Sequence, residues 1–139
     1  MSTEYIIALI GLGIVVVTLL AILFKFVHRR AHLKPKKKSY RTRWRDLQKL
    51  CKSKETWPEA IFSADKLLDK ALIKKGFKGK NTGARIVSAQ RTFTDNDGLW
   101  SAHKLKKKLQ EDPTIKLKEK EVKKALLAFC QALKDLGAL

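Results

Sequence analysis

A long uncharged stretch near the N-terminus restricts what this 139-residue chain can fold into. From Ile6 to Phe24 no side chain carries a charge, and most residues are Ile, Val or Leu. A helix of this length is about 28 Å long, close to the hydrocarbon thickness of a bilayer. A buried core helix is the alternative, but so short a chain would have to surround it on every side. We therefore predict a transmembrane helix that contains Ile6, Leu12, Val16, Leu20 and Phe24.

The flanks of this stretch favour a membrane anchor over a cleaved signal peptide. Residues 1–4 contain no Lys or Arg, no small-residue cleavage site follows, and the stretch is longer than a usual signal-peptide core. Basic residues instead follow the stretch, and the positive-inside rule places that side in the cytoplasm. The predicted topology is a single span in the plasma membrane, with the N-terminus outside and the C-terminal domain inside.

The same basic flank predicts contact with lipid. Charges close to an anionic leaflet each contribute about 1 kcal/mol of attraction, so a topology signal combined with headgroup contact explains the block. His28 and His32 would share a helix face, but no third ligand accompanies them, and no metal site is predicted. The expected headgroup contacts are Lys25, Arg29, Arg30, Lys34, Lys36, Lys37 and Lys38.

Three parts follow from this organisation. Residues 1–27 are the predicted anchor, residues 28–39 a basic juxtamembrane stalk, and residues 40–139 a cytosolic domain, which is long enough for one small core. The chain carries 31 basic and 13 acidic residues, a net charge of +18. Such a charge attracts anionic surfaces, either nucleic acid or the phospholipids of the inner leaflet.

Apolar residues recur at helical spacing throughout residues 40–139, and no stretch shows sustained β alternation. Gly76 and Gly137 are predicted helix stops, and Asn81 or Thr82 is placed to cap a helix. Residues 94–97 resemble a capping box. The predicted fold is all-α, an N-terminal transmembrane helix followed by a bundle of four to five helices. The apolar stripes run over residues 44–51, 61–72, 86–87, 99–109 and 122–136.

A run of basic residues without an intervening acid extends from Lys70 to Arg91. A solvated helix face explains such a run, and anion binding is the functional alternative. The glycine-containing loop at residues 76–83 has neither the spacing nor the strand-to-helix context of a phosphate loop. If an anion or a nucleic acid binds this edge, the contacts are Lys74, Lys75, Lys78, Lys80, Arg85 and Arg91.

The sequence contains no recognisable catalytic set. Ser63, Ser88 and Ser101 lack the context of a nucleophile elbow, and His103 is interpreted as a packed or surface residue rather than a general base. Acidic residues at positions 95 and 97 are explained by helix capping and the helix dipole. We predict a non-enzymatic protein without a cofactor or a metal.

Several segments from Trp44 onward carry a resemblance: residues 44–51, 64–71, 76–80, 88–91 and 93–98. They resemble a group of uncharacterised bacterial proteins with one N-terminal span and a small helical cytoplasmic domain, and the helix layout resembles HEPN-like bundles. HEPN ribonucleases carry Arg and His near the end of a helix. At the corresponding positions this chain has Lys106 for Arg, Lys107 for the neighbouring Asn, and Glu111 for His. The resemblance therefore implies a catalytically degenerate member and, since HEPN-like domains commonly dimerise, a homodimer.

Together these features predict a binding or scaffold domain held at the inner face of the membrane. Its partners would be anionic lipid and an unidentified protein or a second copy of the chain. RNA or DNA binding by the basic domain is the alternative. It is less favoured because Trp44, Trp57 and Trp100 have the helical spacing of core residues rather than of base-stacking platforms.

Overall fold

The computed structural model describes the backbone of residues 2–31 and 38–139, and the side chains of residues 2–25 and 38–139. All regular secondary structure in these residues is helical, which confirms the all-α prediction. The residues form two compact units, Met1–Lys37 and Lys38–Leu139. The helices are α1 (Thr3–Ala31), α2 (Tyr40–Leu50), α3 (Trp57–Lys74), α4 (Thr82–Ser88), α5 (Asn96–Glu111) and α6 (Glu119–Asp135), with a short 3-10 helix (Lys54–Thr56) before α3.

Helix α1 is apolar and exposed on every side from Ile6 to Phe24. Every side chain from Ser2 to Lys25 is exposed, and Leu12 and Phe24 keep 64% and 68% of their surface. The hydroxyl of Thr18 donates to the carbonyl of Val15 at 2.8 Å, so this polar group is satisfied within the helix. Among the described helices, α1 is the one that is long and apolar enough to cross a membrane, over Thr3–Lys25. The helix continues to Ala31, into the segment predicted as the juxtamembrane stalk.

Helix α3 is the centre of the second unit, because it packs against α2, α4, α5 and α6, and α5 packs against α6. The bundle has five helices, the upper end of the predicted range. Small residues such as Ala60 and Ala64 are fully buried on α3, and they let the neighbouring helices approach closely. The largest fully buried side chains are Ile61, Leu68, Leu72, Ile86, Leu99, Leu109, Phe129 and Leu133. The sequence-predicted apolar stripes thus form one core.

Local capping signals account for several helix ends. Asn81 Oδ1 accepts a hydrogen bond from the backbone N–H of Ala84 at 2.9 Å, as predicted for the start of α4. Gly76 follows α3 with a φ of +87°, and Gly137 follows α6 with a φ of +69°. Both helices end with the paired backbone hydrogen bonds of a Schellman motif, which requires this left-handed conformation.

The start of α5 differs from the predicted capping box. Asp95 is the N-cap, and its Oδ1 accepts from the backbone N–H of Gly98 at 2.9 Å. Thr94 instead donates through both its backbone N–H and its hydroxyl to Asp135 Oδ2 of α6. The threonine therefore ties two helices together, a role that depends on a partner 41 residues away.

Candidate functional site

A buried carboxylate joins α3 to α5. Asp65 lies on the same face of α3 as Ile61 and Leu68, and only 2% of its surface is exposed. Its Oδ1 lies 2.8 Å from His103 Nδ1, and its Oδ2 lies 3.1 Å from Lys106 Nζ. Both carboxylate oxygens are therefore paired, as a buried carboxylate requires.

The position of the two basic partners follows from helix geometry. His103 and Lys106 are three residues apart on α5, so both side chains lie on one helix face. That face packs on α3.

The second face of the His103 ring is covered by α4 and by Trp100. A Cβ added at Gly83 would lie 3.3 Å from His103 Nε2 and 3.8 Å from Trp100 Cη2. The Trp100 and His103 rings meet edge to face, with centroids 5.8 Å apart. His103 keeps only 5% of its surface. The ring is packed among α3, α4 and α5, and its hydrogen bond to Asp65 links α5 to α3.

A second ion pair lies one turn further along α3. Arg85 Nε donates to Asp69 Oδ1 at 2.7 Å, and Arg85 Nη2 donates to Asp69 Oδ2 at 3.1 Å. Arg85 Nη1 also donates to the carbonyl of Gly79 at 2.5 Å, which fastens the loop before α4. The Arg85 hydrogen bond lowers the pKa of Asp69, and the positive charge of Lys106 adds to this effect. Hydrogen bonding to Asp69 in turn raises the pKa of Arg85.

The two carboxylates and their partners form one polar network across α3, α4 and α5. Asp65 and Asp69 are four residues apart on α3, so the two ion pairs lie one helical turn from each other. The sequence interpretation did not predict this network. A signal was present, because Asp65 occupies a core position between apolar residues, and a buried carboxylate needs a cationic partner.

The predicted anion-contact residues divide into two groups. Arg85 is half-buried and engaged by Asp69, so its guanidinium is part of the internal network. Lys74 Nζ lies 5.5 Å from the centroid of the Tyr40 ring, a cation–π contact. The remaining predicted contacts are exposed side chains in the loop between α3 and α4 and just after α4, namely Lys75, Lys78, Lys80 and Arg91.

The positions at which the predicted HEPN resemblance would place the Arg, Asn and His residues lie along the second half of α5. Lys106 is partly buried against Asp65, whereas Lys107 and Glu111 are exposed. A lysine ammonium in that buried pair supplies charge but lacks the bidentate fork of a guanidinium.

The predicted headgroup contacts are only partly visible. Lys25 and Lys38 are exposed, and Lys38 Nζ lies 3.1 Å from Asp46 Oδ2. Lys34, Lys36 and Lys37 lie outside the described residues, as do His32 and the side chains of His28, Arg29 and Arg30. Within the described part of the chain, His, Cys, Asp and Glu side chains form no group of three that could hold a metal ion.

Two cationic clefts occur on the surface of the second unit. The larger, about 450 Å³, lies between α2 and α3. The smaller, about 260 Å³, lies between α5 and α6, where Lys104, Lys108 and Lys124 line it together with Glu121. Each cleft brings basic side chains from two helices together, which the order of residues in the sequence does not reveal.

Comparison with protein families, with curated proteins and with solved structures found no match to this chain. The resemblance to HEPN-like and single-span bacterial proteins therefore stays a prediction.

Proposed function

We propose that this protein is a single-span membrane protein whose C-terminal helical domain binds a partner at the cytoplasmic face of the plasma membrane. The observation that carries the proposal is the exposure of the large apolar side chains from Tyr5 to Phe24 on α1. A segment that is apolar on every side needs an apolar environment, and the side chains of the membrane-length segment Thr3–Lys25 are exposed. The second unit has a core of its own and is suited to the aqueous side.

The distribution of charge supports the proposed orientation. Glu4 is the only charged residue before the apolar stretch, whereas Lys25 and the following segment are strongly basic. Such an asymmetry retains the basic side in the cytoplasm. The N-terminus then lies outside the cell.

The burial of the polar network favours binding over catalysis as the role of the domain. Asp65 and His103 are an acid–base pair, but they are 2% and 5% exposed and are covered by neighbouring helices. The exposed part of the domain is instead a surface rich in lysine, suited to an acidic partner. A second copy of the chain and an unrelated protein are both candidate partners in this proposal.

Topology is tested with single cysteines in a chain that carries Cys51→Ser and Cys130→Ser. We expect Ser2→Cys to react with a membrane-impermeant maleimide on intact cells, and Lys116→Cys to react only after permeabilisation. Both positions are exposed, so the two variants are matched in reactivity. Labelling of Lys116→Cys on intact cells, or recovery of the chain in the soluble fraction, would refute the proposal. Crosslinking in the native membrane then identifies the captured partner.

Nucleic-acid binding is the second candidate, and the smaller cleft favours it. Lys104 and Lys108 of α5 face Lys124 of α6 across this cleft, which is an arrangement suited to phosphate groups. For binding of this kind, the logarithm of the association constant falls linearly with the logarithm of the salt concentration. An RNA or DNA titration of the full chain in detergent should then show a strongly salt-dependent shift. Lys104→Gln and Lys108→Gln together should reduce its slope by about 2. No shift at low ionic strength would exclude this candidate.

A further inference from the structure

The larger cationic cleft has two chemically distinct parts. Leu47 and Leu50 of α2 and Leu67 of α3 provide an apolar floor. Basic side chains from both sides line the same cleft, namely Lys38, Arg43, Lys66 and Lys70. A cleft of about 450 Å³ with this composition is suited to a ligand that is itself part anionic and part apolar.

The positive charge of this cleft is only partly compensated. Asp46 is the one carboxylate in its lining, and its pKa is lowered chiefly by the hydrogen bond from Lys38. Lys49 Nζ also lies 3.6 Å from Asp46 Oδ1, so two lysines already accompany this carboxylate. Arg43, Lys66 and Lys70 form no ion pair with any acidic side chain of the described residues. Three cations beside an apolar floor therefore remain for a ligand.

We propose that this cleft binds an anionic phospholipid, with the phosphate held by Arg43, Lys66 and Lys70 and the start of an acyl chain over the leucines. A free phosphate would use only the cations. Nucleic acid would favour aromatic side chains, whereas this floor is aliphatic. The proposal rests on the proposed membrane anchoring, because only residues 32–37 separate α1 from Lys38. Covalent linkage to α1 then keeps the cleft at a high effective concentration of lipid.

The test uses the full chain in nanodiscs of phosphatidylcholine alone or with one part in three of phosphatidylglycerol. Lysines are acetylated in a short pulse, and their modification is measured by mass spectrometry. We expect modification of Lys66 and Lys70 to fall severalfold in the anionic discs. Lys116 and Lys120 are exposed lysines outside the cleft, and their modification should change little. Equal protection of both pairs, or protection of neither, would overturn the proposal.

Matched charge reversals provide the second measurement. Lys66→Glu with Lys70→Glu alters the cleft, and Lys116→Glu with Lys120→Glu makes the same change in charge elsewhere. Native mass spectrometry in detergent counts the phosphatidylglycerol bound to each variant. Loss of the two positive charges alone should weaken the cleft site about 30-fold, and the two new carboxylates should weaken it further by repelling the phosphate. The cleft variant should lose one tightly bound lipid that wild type and the control retain. Equal lipid binding by the two variants would contradict the proposal.

Other occupants are distinguished in phosphatidylcholine discs. Inorganic phosphate, a short RNA and an acidic peptide are added in separate experiments. If any of them protects Lys66 and Lys70 from acetylation at least as strongly as the anionic discs do, the lipid assignment is overturned. Failure of the proposed function gives a different result, since a chain that does not span the bilayer would not integrate into the discs at all. Integration without protection by phosphatidylglycerol refutes only the cleft.

Discussion

Replacing Asp65 with alanine should be the most damaging single change in the polar network. The side chain of Asp65 is 3% exposed and carries two contacts to basic groups, at 2.8 Å and 3.1 Å. Its removal leaves His103 and Lys106 without their acceptor among packed helices. Removing one partner of a buried ion pair typically costs about 3–5 kcal/mol. A domain of this size is stable by about 5–15 kcal/mol, so much of its stability should be lost.

The assay is urea denaturation of residues 38–139, followed by the helical circular dichroism signal. With a slope near 2 kcal/mol per molar urea, the midpoint should fall by roughly 2 M. Glu111→Ala is the control, since Glu111 is exposed at the end of α5, and its effect should stay within about 0.5 kcal/mol.

A double-mutant cycle tests the physical reason for the loss. Lys106→Met keeps most of the side-chain volume and removes the charge. Asp65→Ala should cost at least about 1 kcal/mol less in the Lys106→Met background than in wild type. The reason is that Lys106→Met has already removed the ion pair between these two side chains. A loss below about 1 kcal/mol for Asp65→Ala alone, or strict additivity with Lys106→Met, would refute the stabilising role of the network.

Three further changes test other parts of the domain. The pKa of Asp69 is lowered from 3.8 in the folded state, so its contribution is complete above that pH and is lost as the pH falls through the lower folded value. Asp69→Asn should therefore reduce the loss of stability that accompanies a fall in pH below 3.8, measured by urea titrations at a series of pH values. Gly76→Ala places a side chain at a φ of +87° and should cost about 1 kcal/mol, read from the thermal midpoint. An unchanged midpoint would contradict the Schellman assignment. Asp95→Ala removes the cap of α5 and should cost about 1 kcal/mol, whereas Asp97→Ala at an exposed first-turn position should cost less. Equal losses would show that capping is not the cause.

Much of the fold was predictable because its signals are local. The uncharged stretch is one continuous segment of the chain, the Asn81 cap and the stops at Gly76 and Gly137 act within a single helical turn, and the structure has all of them. The Thr94 prediction was wrong for the opposite reason. Asp95 competes for the cap position, and Thr94 has a better acceptor in Asp135 of a distant helix.

The candidate sites were much less predictable. Arg85 was predicted as part of a cationic surface, and its chain neighbours give no sign of the carboxylate that engages it from α3. His103 was interpreted as either packed or exposed. The structure shows that it is packed, because α4 lies against the ring at Gly83.

The sequence by itself determined where most helices begin and end, which faces are apolar and where the uncharged stretch lies, because these follow from residue type and from spacings of three or four positions. Tertiary packing alone decided which charges meet. Asp65 and His103 are 38 positions apart, and only the crossing of α3 with α5 brings them to 2.8 Å. The lysines around the cleft likewise converge because α2 lies beside α3. The distance between side chains on two helices depends on the crossing angle and the separation of those helices, and hydrophobic periodicity within one helix does not specify either of them.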